Sequence, residues 1–245
     1  MPEWFRRAFD EEYIELYAHR DEQEARDAVD LIVSTTAPPE GALVLDAPCG
    51  AGRHLHEFQR RGYRAYGCDL SAPLLREAHR RGVPAGTVTR GDIRALPFRA
   101  GTFDLVVNLF SSLGYFESDA DNLAVISKLA SLARPGGWVV IDFMHSGHVR
   151  RNLVPHSVRE MPGGLRVEDT RWIGGEPERV NKRTTLTAPD LDDVVLNESV
   201  RLFRPEELRA AMQRSGLVIG HEFGDYHGGG FGGDSPRIVL AGQRV

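Results

Sequence analysis

Cysteine is scarce in this chain: only Cys49 and Cys68 occur among 245 residues. Neither belongs to a Cys-x-x-Cys pair or a Cys/His pattern of metal spacing, so structural zinc, other bound metals and disulfides are not expected. That usage fits a reducing, cytoplasmic compartment. Long apolar runs are also missing. None approaches the length that spans a bilayer, and the charged and aromatic residues 1–7 lead into no apolar leader segment, so a soluble protein without a membrane partner is expected. Positive charge is not in excess either. Against 35 acidic residues stand 30 Lys and Arg, and the net charge of −5 gives no global attraction to a phosphate backbone, which disfavours nucleic acid as a partner. What is present is a 41% hydrophobic content over a length that buries a sizeable core as one decorated domain, monomeric or homodimeric.

The periodicity is that of an α/β chain. Ala25, Ala28, Val29, Ile32 and Val33 have helical spacing over 21–35, with Asp21 and Glu24 placed like a capping box. Pro38, Pro39 and Gly41 end that helix, and the apolar run 42–45 reads as a strand covered on both faces. The rhythm repeats with helices over 53–61, 72–81 and 119–133 and strands over 64–69, 87–90, 104–109 and 138–143. Alternating strands and helices predict a Rossmann-like, mostly parallel seven-stranded sheet with helices on both faces. After Phe143 the pattern changes: from about 155 to 203, β-rich runs such as 165–172, 179–187 and 194–203 predict a small antiparallel insert. A helix restarts after Arg204-Pro205 and stops at Gly216, and strands over 217–223 and 237–241 close the chain. The glycine-rich stretch 228–233 is expected to be a mobile loop.

The strongest local signal is Val44-Leu45-Asp46-Ala47-Pro48-Cys49-Gly50-Ala51-Gly52-Arg53, a buried strand running into a glycine turn and a helix. Gly50 and Gly52 permit close approach of a ligand, and the helix start offers unpaired N–H groups to an anionic group. A dinucleotide fingerprint would place a third glycine at position 55, which is Leu55 here. The next strand ends in Asp69, at the position where ribose hydroxyls are held in such folds, although Asp69 is also explained as a residue preceding a helix capped by Ser71. Gly91-Asp92-Ile93 and Asp104 to Asn108 bring four strand ends to one crevice.

Through these residues and Arg134-Pro135-Gly136-Gly137-Trp138, nearly the whole chain resembles the class I S-adenosylmethionine-dependent methyltransferases. More narrowly, 13–21, Asn108-Leu109-Phe110-Ser111-Ser112-Leu113-Gly114-Tyr115-Phe116, Phe223-Gly224-Asp225-Tyr226 and Ser235-Pro236-Arg237 are similar to a bacterial subgroup acting on small molecules. The resemblance implies a division into an N-terminal helical lid (1–40), a cofactor-binding core (41–145), an antiparallel insert over the acceptor site (146–203) and a C-terminal completion of the sheet (204–245). It implies that Gly50 and Gly52 face the methionyl end of S-adenosylmethionine, with Asp46 near its ammonium group. Asp69 would take the ribose hydroxyls, Leu70 and Ile93 would sandwich the adenine, and Asp92 would accept from its exocyclic amine. The backbone carbonyl of Asn108 would meet the ammonium, and Tyr17, Arg20 or Arg53 the carboxylate.

A sulfonium is already an activated electrophile, so in-line transfer to a nitrogen or oxygen of a small-molecule acceptor needs mainly positioning and exclusion of water. Where a base helps, His145 is the best placed candidate, followed by His19, Tyr115 and His227; His145 also reads as a plain loop residue. Cys49 reads as a packing residue rather than a nucleophile for cytosine methylation. Asn108-Leu109-Phe110-Ser111 departs from the Asn/Asp-Pro-Pro-aromatic pattern of amino-methylating nucleic-acid enzymes. Two competing readings remain, a nicotinamide-dependent oxidoreductase and a cofactor-binding protein without catalysis.

Overall fold

The computed structural model describes residues 3–9, 14, 16, 22–188 and 192–245. A short helix α1 (Phe5–Ala8) precedes α2 (Glu22–Thr36), and the expected alternation then runs β1 (Leu43–Asp46), α3 (Arg53–Arg60), β2 (Arg64–Asp69), α4 (Ala72–Arg80), β3 (Val88–Arg90), β4 (Phe103–Asn108), α5 (Asp119–Leu132) and β5 (Ala133–Met144). Asp21, expected at the cap of α2, lies outside the described residues. Ser71 caps α4 as expected, accepting the Leu74 N–H at 3.2 Å, a contact of a type worth about 1 kcal/mol.

The large sheet has seven strands in the order β10-β11-β5-β4-β1-β2-β3, where β10 (Leu217–Phe223) and β11 (Arg237–Arg244) follow α7 (Pro205–Arg214). The pairs β1/β2, β2/β3, β1/β4 and β4/β5 are parallel, and β11 runs antiparallel to both β5 and β10. From β1 the chain steps outward to β2 and β3, then returns to β4 on the other side of β1. The carboxyl ends of β1 and β4 therefore flank a topological switch point, where open α/β sheets bind ligands.

The continuous apolar runs are explained by a sheet covered twice. Leu45, Val106, Val139 and Ile141 point to the face packed by α5 and α7 through Ile126, Leu129, Leu208 and Met212. Their neighbours Val44, Leu105, Val107 and Val140 point to the other face, packed by α2, α3 and α4 through Val29, Ile32, Leu55, Phe58 and Ala78. Each such fully buried side chain stabilises the fold by roughly 2 kcal/mol. Helix α2 is thus part of the body of the domain, although it falls within the stretch expected as a lid. Leu55, at the place of the missing third glycine, is fully buried there.

Three local features differ from expectation. Strand β5 begins at Ala133, earlier than the sequence suggests, because Ala133 pairs with Phe103 and Trp138 with Leu105, and residues 134–137 bulge between them. A Cβ on Gly137 would lie 2.9 Å from the Arg134 carbonyl and 3.0 Å from that of Asp104, so glycine is required for this bulge. Helix α6 (Ser146–Asn152) was not foreseen, and strand β6 (His156–Met161) opens the β-rich stretch without having been singled out in it; β6 is an edge strand whose charged residues leave little hydrophobic pattern. The glycine stretch is tied down: the Gly224 N–H bonds the Gly229 carbonyl at 2.7 Å, and Asp225 Oδ1 accepts the Gly229 N–H at 3.0 Å.

The insert is a separate antiparallel sheet, β6-β7-β8-β9, with β7 at Leu165–Gly174, β8 at Arg179–Thr187 and β9 at Val194–Arg201. Its apolar centre is small, with Leu16, Val167 and Leu186 buried. Beside it the buried Asp169 accepts from Thr184 at 2.6 Å and pairs with Arg171 at 2.6 Å and Arg159 at 3.0 Å. Burial pushes the Asp169 pKa up, but these donors and Lys182 outweigh it and hold the carboxyl below its ordinary value. Among the described residues, no helix is long and apolar enough to cross a membrane.

Candidate active site

A cavity of about 550 Å³ opens at the switch point. Its walls come from the β1–α3 turn, the ends of β2 and β3, the loop after β4, the N-terminal segment and strand β9.

The β1–α3 turn separates the two glycines. Gly50 has φ +51 and lines the cavity, and a Cβ there would meet nothing closer than Leu74 Cδ1 at 4.0 Å. Gly52, with φ +78, does not line it. A Cβ on Gly52 would lie 2.9 Å from both Ala78 Cβ and Val83 Cγ2, so this glycine serves the packing of α3 on α4. Asp69 lines the cavity at the end of β2, and its two oxygens accept the Gly50 and Ser71 N–H groups at 2.8 Å each. Burial raises its pKa, against the lowering effect of those amides.

Asp46 lies behind the turn, 1% exposed, and neither of its oxygens has a hydrogen-bond partner among the described residues. Burial and the nearby Asp69 charge push its pKa up to about 8, with weaker opposing pulls from the Leu55 amide and Arg53. Asn108 is also fully buried behind the wall, where its Nδ2 donates to the Ala47 carbonyl at 2.8 Å. Leu70, Asp92 and Ile93 line the cavity. The Asp92 carboxylate is engaged by Arg94, at 2.6 Å from Nη2 and 2.9 Å from the backbone N–H, which holds its pKa below the ordinary range. Cys49 and Cys68 are free, buried thiols on the same wall. The Cys49 thiol is pushed well up by burial and packs where a Gly67 Cβ would come within 2.7 Å of its sulfur, consistent with a packing role.

Of the catalytic candidates, Tyr115 lines the cavity and His145 does not. Tyr115 contacts Trp4 at a centroid distance of 5.1 Å and Phe9 at 5.6 Å. His145 is 8% exposed, its Nδ1 lies 2.8 Å from the Ser235 carbonyl, and its ring meets Phe231 at 5.0 Å. His227 is exposed, with its N–H bonded to Asp225. Tyr17, His19 and Arg20 lie outside the described residues. Arg53 lines the cavity, 3.4 Å from Glu24, with its guanidinium 4.9 Å over the Phe110 ring.

Sequence reasoning missed several neighbours. Asp142 is fully buried and gathers Tyr226 Oη at 2.5 Å, Arg237 at 2.6 and 2.7 Å and the Phe110 N–H at 2.7 Å. This fixes the left-handed pair Phe110 and Ser111, both at φ +58, on the cavity rim. Tyr226 and Arg237 stood out only as part of the resemblance, and nothing in the spacing tied them to Asp142. His54, one residue beyond Arg53, lines the cavity with its Nε2 buried and unpartnered among the described residues. Burial and the Arg53 charge lower its pKa to about 3, so it is neutral.

This arrangement fits S-adenosylmethionine on its own terms. An open glycine turn lies beside a ribose-type acid, the apolar Leu70 and Ile93 line the same cavity, and both oxygens of the buried Asp46 carboxyl lack a hydrogen-bond partner among the described residues. A methyltransferase-domain family model matches residues 44–137, from Val44 in β1 to Gly137 in the bulge of β5. A dTDP-3-amino-3,4,6-trideoxy-alpha-D-glucopyranose N,N-dimethyltransferase of Streptomyces venezuelae is 32% identical over 218 residues, covering 80% of this chain and 83% of that one. A dTDP-3-amino-3,6-dideoxy-alpha-D-glucopyranose N,N-dimethyltransferase of Streptomyces fradiae is 28% identical, covering 79% and 77%. Among solved structures, an S-adenosylmethionine-dependent methyltransferase of Clostridium acetobutylicum superposes with a TM-score of 0.80 at 15% identity over 95% of this chain and 98% of that one. With the switch-point cavity, the glycine turn and a relative matched over most of both chains, the protein belongs to the class I S-adenosylmethionine-dependent methyltransferases.

Proposed function

We propose that the chain methylates the amino nitrogen of a small molecule, and that a nucleotide-linked amino sugar is its acceptor class. The observation that carries this reading is the match to an amino-sugar N,N-dimethyltransferase over 83% of that relative's length. Bound at this cavity, S-adenosylmethionine supplies a methyl carbon on a sulfonium, activated for in-line displacement.

The chain's own residues supply binding and orientation. Asp69 holds the ribose hydroxyls on the oxygen lone pairs its backbone bonds leave free. Leu70 and Ile93 flank the adenine, and Asp92, steadied by Arg94, accepts from its amine. Gly50 admits the methionyl end; Asp46, protonated in the unliganded fold, gives up its proton as the cationic ligand enters, and the Asn108 carbonyl and Gly52 act from behind the wall through the backbone dipole and turn geometry. Arg53 is the described candidate for the carboxylate, together with Tyr17 and Arg20.

An amine reacts through its lone pair, so an ammonium acceptor first loses a proton to solvent; the neutral nitrogen then takes the methyl carbon as the sulfur keeps the electron pair of the broken C–S bond, and the methylated ammonium loses its proton to solvent. Tyr115 is the acceptor-side group we assign to position that nitrogen, supported by its place on the wall; the placement of His145 behind that wall argues against its acting as the base. Glu198 and Val200 of β9 line the same cavity, which supports the insert 146–203 as the acceptor side. Trp4, Phe5 and Phe9 line it from the N-terminal segment, which supports a lid confined to the residues before α2. We read the protein as cytoplasmic, monomeric or homodimeric, without a nucleic-acid partner.

The test is incubation with S-adenosylmethionine and dTDP-3-amino-3,4,6-trideoxyglucose, with mass spectrometry of the sugar. One or two added methyl groups support the proposal. Methylation of hydroxylated but not aminated sugars overturns it.

A further inference from the structure

Arg179 opens β8 in the insert, and among the described residues it forms no ion pair. Its guanidinium is spent on neutral acceptors instead. Nη2 donates to the Gly114 carbonyl at 3.0 Å and Nη1 to the Phe116 carbonyl at 3.1 Å, the two carbonyls on either side of Tyr115. The remaining donors reach the Ser199 Oγ at 2.8 Å and the Ser199 carbonyl at 2.7 Å, which anchors the head on β9. Half-burying a cation without a direct ion pair is costly, and burial pulls its pKa below the usual guanidinium value, against the favourable charge of Asp119.

The same three-residue stretch is gripped from other sides. The Arg201 N–H donates to the Gly114 carbonyl at 2.8 Å, and a Cβ on Gly114 would come within 3.0 Å of the Arg201 carbonyl, so β9 runs directly against this backbone. The buried Asn122 of α5 accepts the Phe116 N–H at 3.0 Å and donates to its carbonyl at 2.8 Å. Tyr115 is thus the one residue between two backbone positions fixed by the insert on one side and the core on the other.

We propose that Arg179 is a positioning residue: its forked head, spanning the carbonyls of Gly114 and Phe116, sets where the Tyr115 side chain stands in the cavity and so couples the insert to methyl transfer. Only a planar fork with several donors reaches both carbonyls; a lysine ammonium is a point donor on a flexible stem. The functional half of this inference rests on the reading of Tyr115 as the acceptor-side group.

The experiment has two readouts on Arg179→Met and Arg179→Lys, with Arg183→Met as a control at an exposed arginine of the same strand. First, 3-fluorotyrosine is placed at position 115 and its fluorine resonance recorded with S-adenosylhomocysteine bound. One resonance is expected in the parent and in Arg183→Met, and a shifted or split resonance in both Arg179 variants, with affinity for S-adenosylhomocysteine within about twofold. An unmoved resonance, or a parallel loss of that affinity, overturns the inference. Second, with dTDP-3-amino-3,4,6-trideoxyglucose as acceptor, kcat is expected to fall about tenfold at unchanged KM for S-adenosylmethionine. Tyr115→Phe combined with Arg179→Met is expected to be no slower than Tyr115→Phe alone; losses that multiply overturn the coupling. If the parent does not methylate the sugar, the acceptor reading fails by itself, and the fluorine resonance decides the positioning of Tyr115.

Discussion

The Gly50 N–H donates to Asp69 Oδ2 at 2.8 Å, tying the end of β2 to the turn that follows β1. One bond therefore orients both the glycine that opens the cavity and the acid beside it, while Gly52, two residues on, faces the opposite way into α4. The two glycines are expected to fail differently. Gly52→Ala meets Ala78 and Val83 at 2.9 Å and should cost about 3 kcal/mol of stability. Gly50→Ala has open space and should cost only about 1 kcal/mol, while weakening S-adenosylhomocysteine binding. Thermal unfolding and calorimetry of the two variants check this.

The buried Asp46 and His54 set opposite limits on stability with pH. With its pKa raised to about 8, Asp46 stays protonated in the folded state where the unfolded chain, near 3.8, has ionised. Its contribution is complete at low pH and is lost as the pH climbs from about 4 toward 8. His54, lowered from 6.5 to about 3, contributes above its unfolded value and loses that contribution as the pH falls toward 3. Asp46→Asn should raise the Tm at about pH 8 and have little effect near pH 4, and His54→Gln should flatten the decline on the acid side. A Tm offset for Asp46→Asn that is the same across this range contradicts the assignment.

Tyr115→Phe is expected to lower kcat on an amino-sugar acceptor by roughly tenfold or more, with S-adenosylhomocysteine affinity retained. His145→Gln, at a residue outside the cavity wall, should keep kcat within about threefold of the parent. Steady-state kinetics of both variants decide between them, and a reversed order returns the assignment to His145.

The Asp142 cluster should behave as a buried network. Asp142→Ala leaves the Arg237 guanidinium unpaired and should cost about 3–5 kcal/mol in urea unfolding. Tyr226→Phe removes one bond of four and should cost about 1–2 kcal/mol. Both should also loosen the loop through Phe110, read as faster amide exchange there.

The repeating helices and strands were legible because each carries an apolar stripe or run, and helix ends at Ser71 and Pro205 carry their own chemistry. Helix α6 was not, and β6 was legible only as the start of a β-rich stretch, since neither buries enough apolar surface to leave a periodic trace. The crevice was legible through Gly50, Asp69 and Ile93, which are close in sequence to strand ends. The packing of Gly52 against Ala78 and Val83 was not legible, because a glycine that packs a helix and one that faces a ligand look alike in a sequence. The backbone on either side of Tyr115 is bonded by Arg179, 63 and 65 residues on, and Asp142 by Arg237, 95 residues on, and such pairings arise only when the chain folds.

The most direct measurement is calorimetric titration of the intact chain and of Asp69→Ala with S-adenosylhomocysteine and, separately, with NAD. Saturable binding of S-adenosylhomocysteine, weakened about tenfold or more by Asp69→Ala, with no binding of NAD, is the predicted result. Equal affinity in both chains, or saturable binding of NAD in place of S-adenosylhomocysteine, would contradict the account.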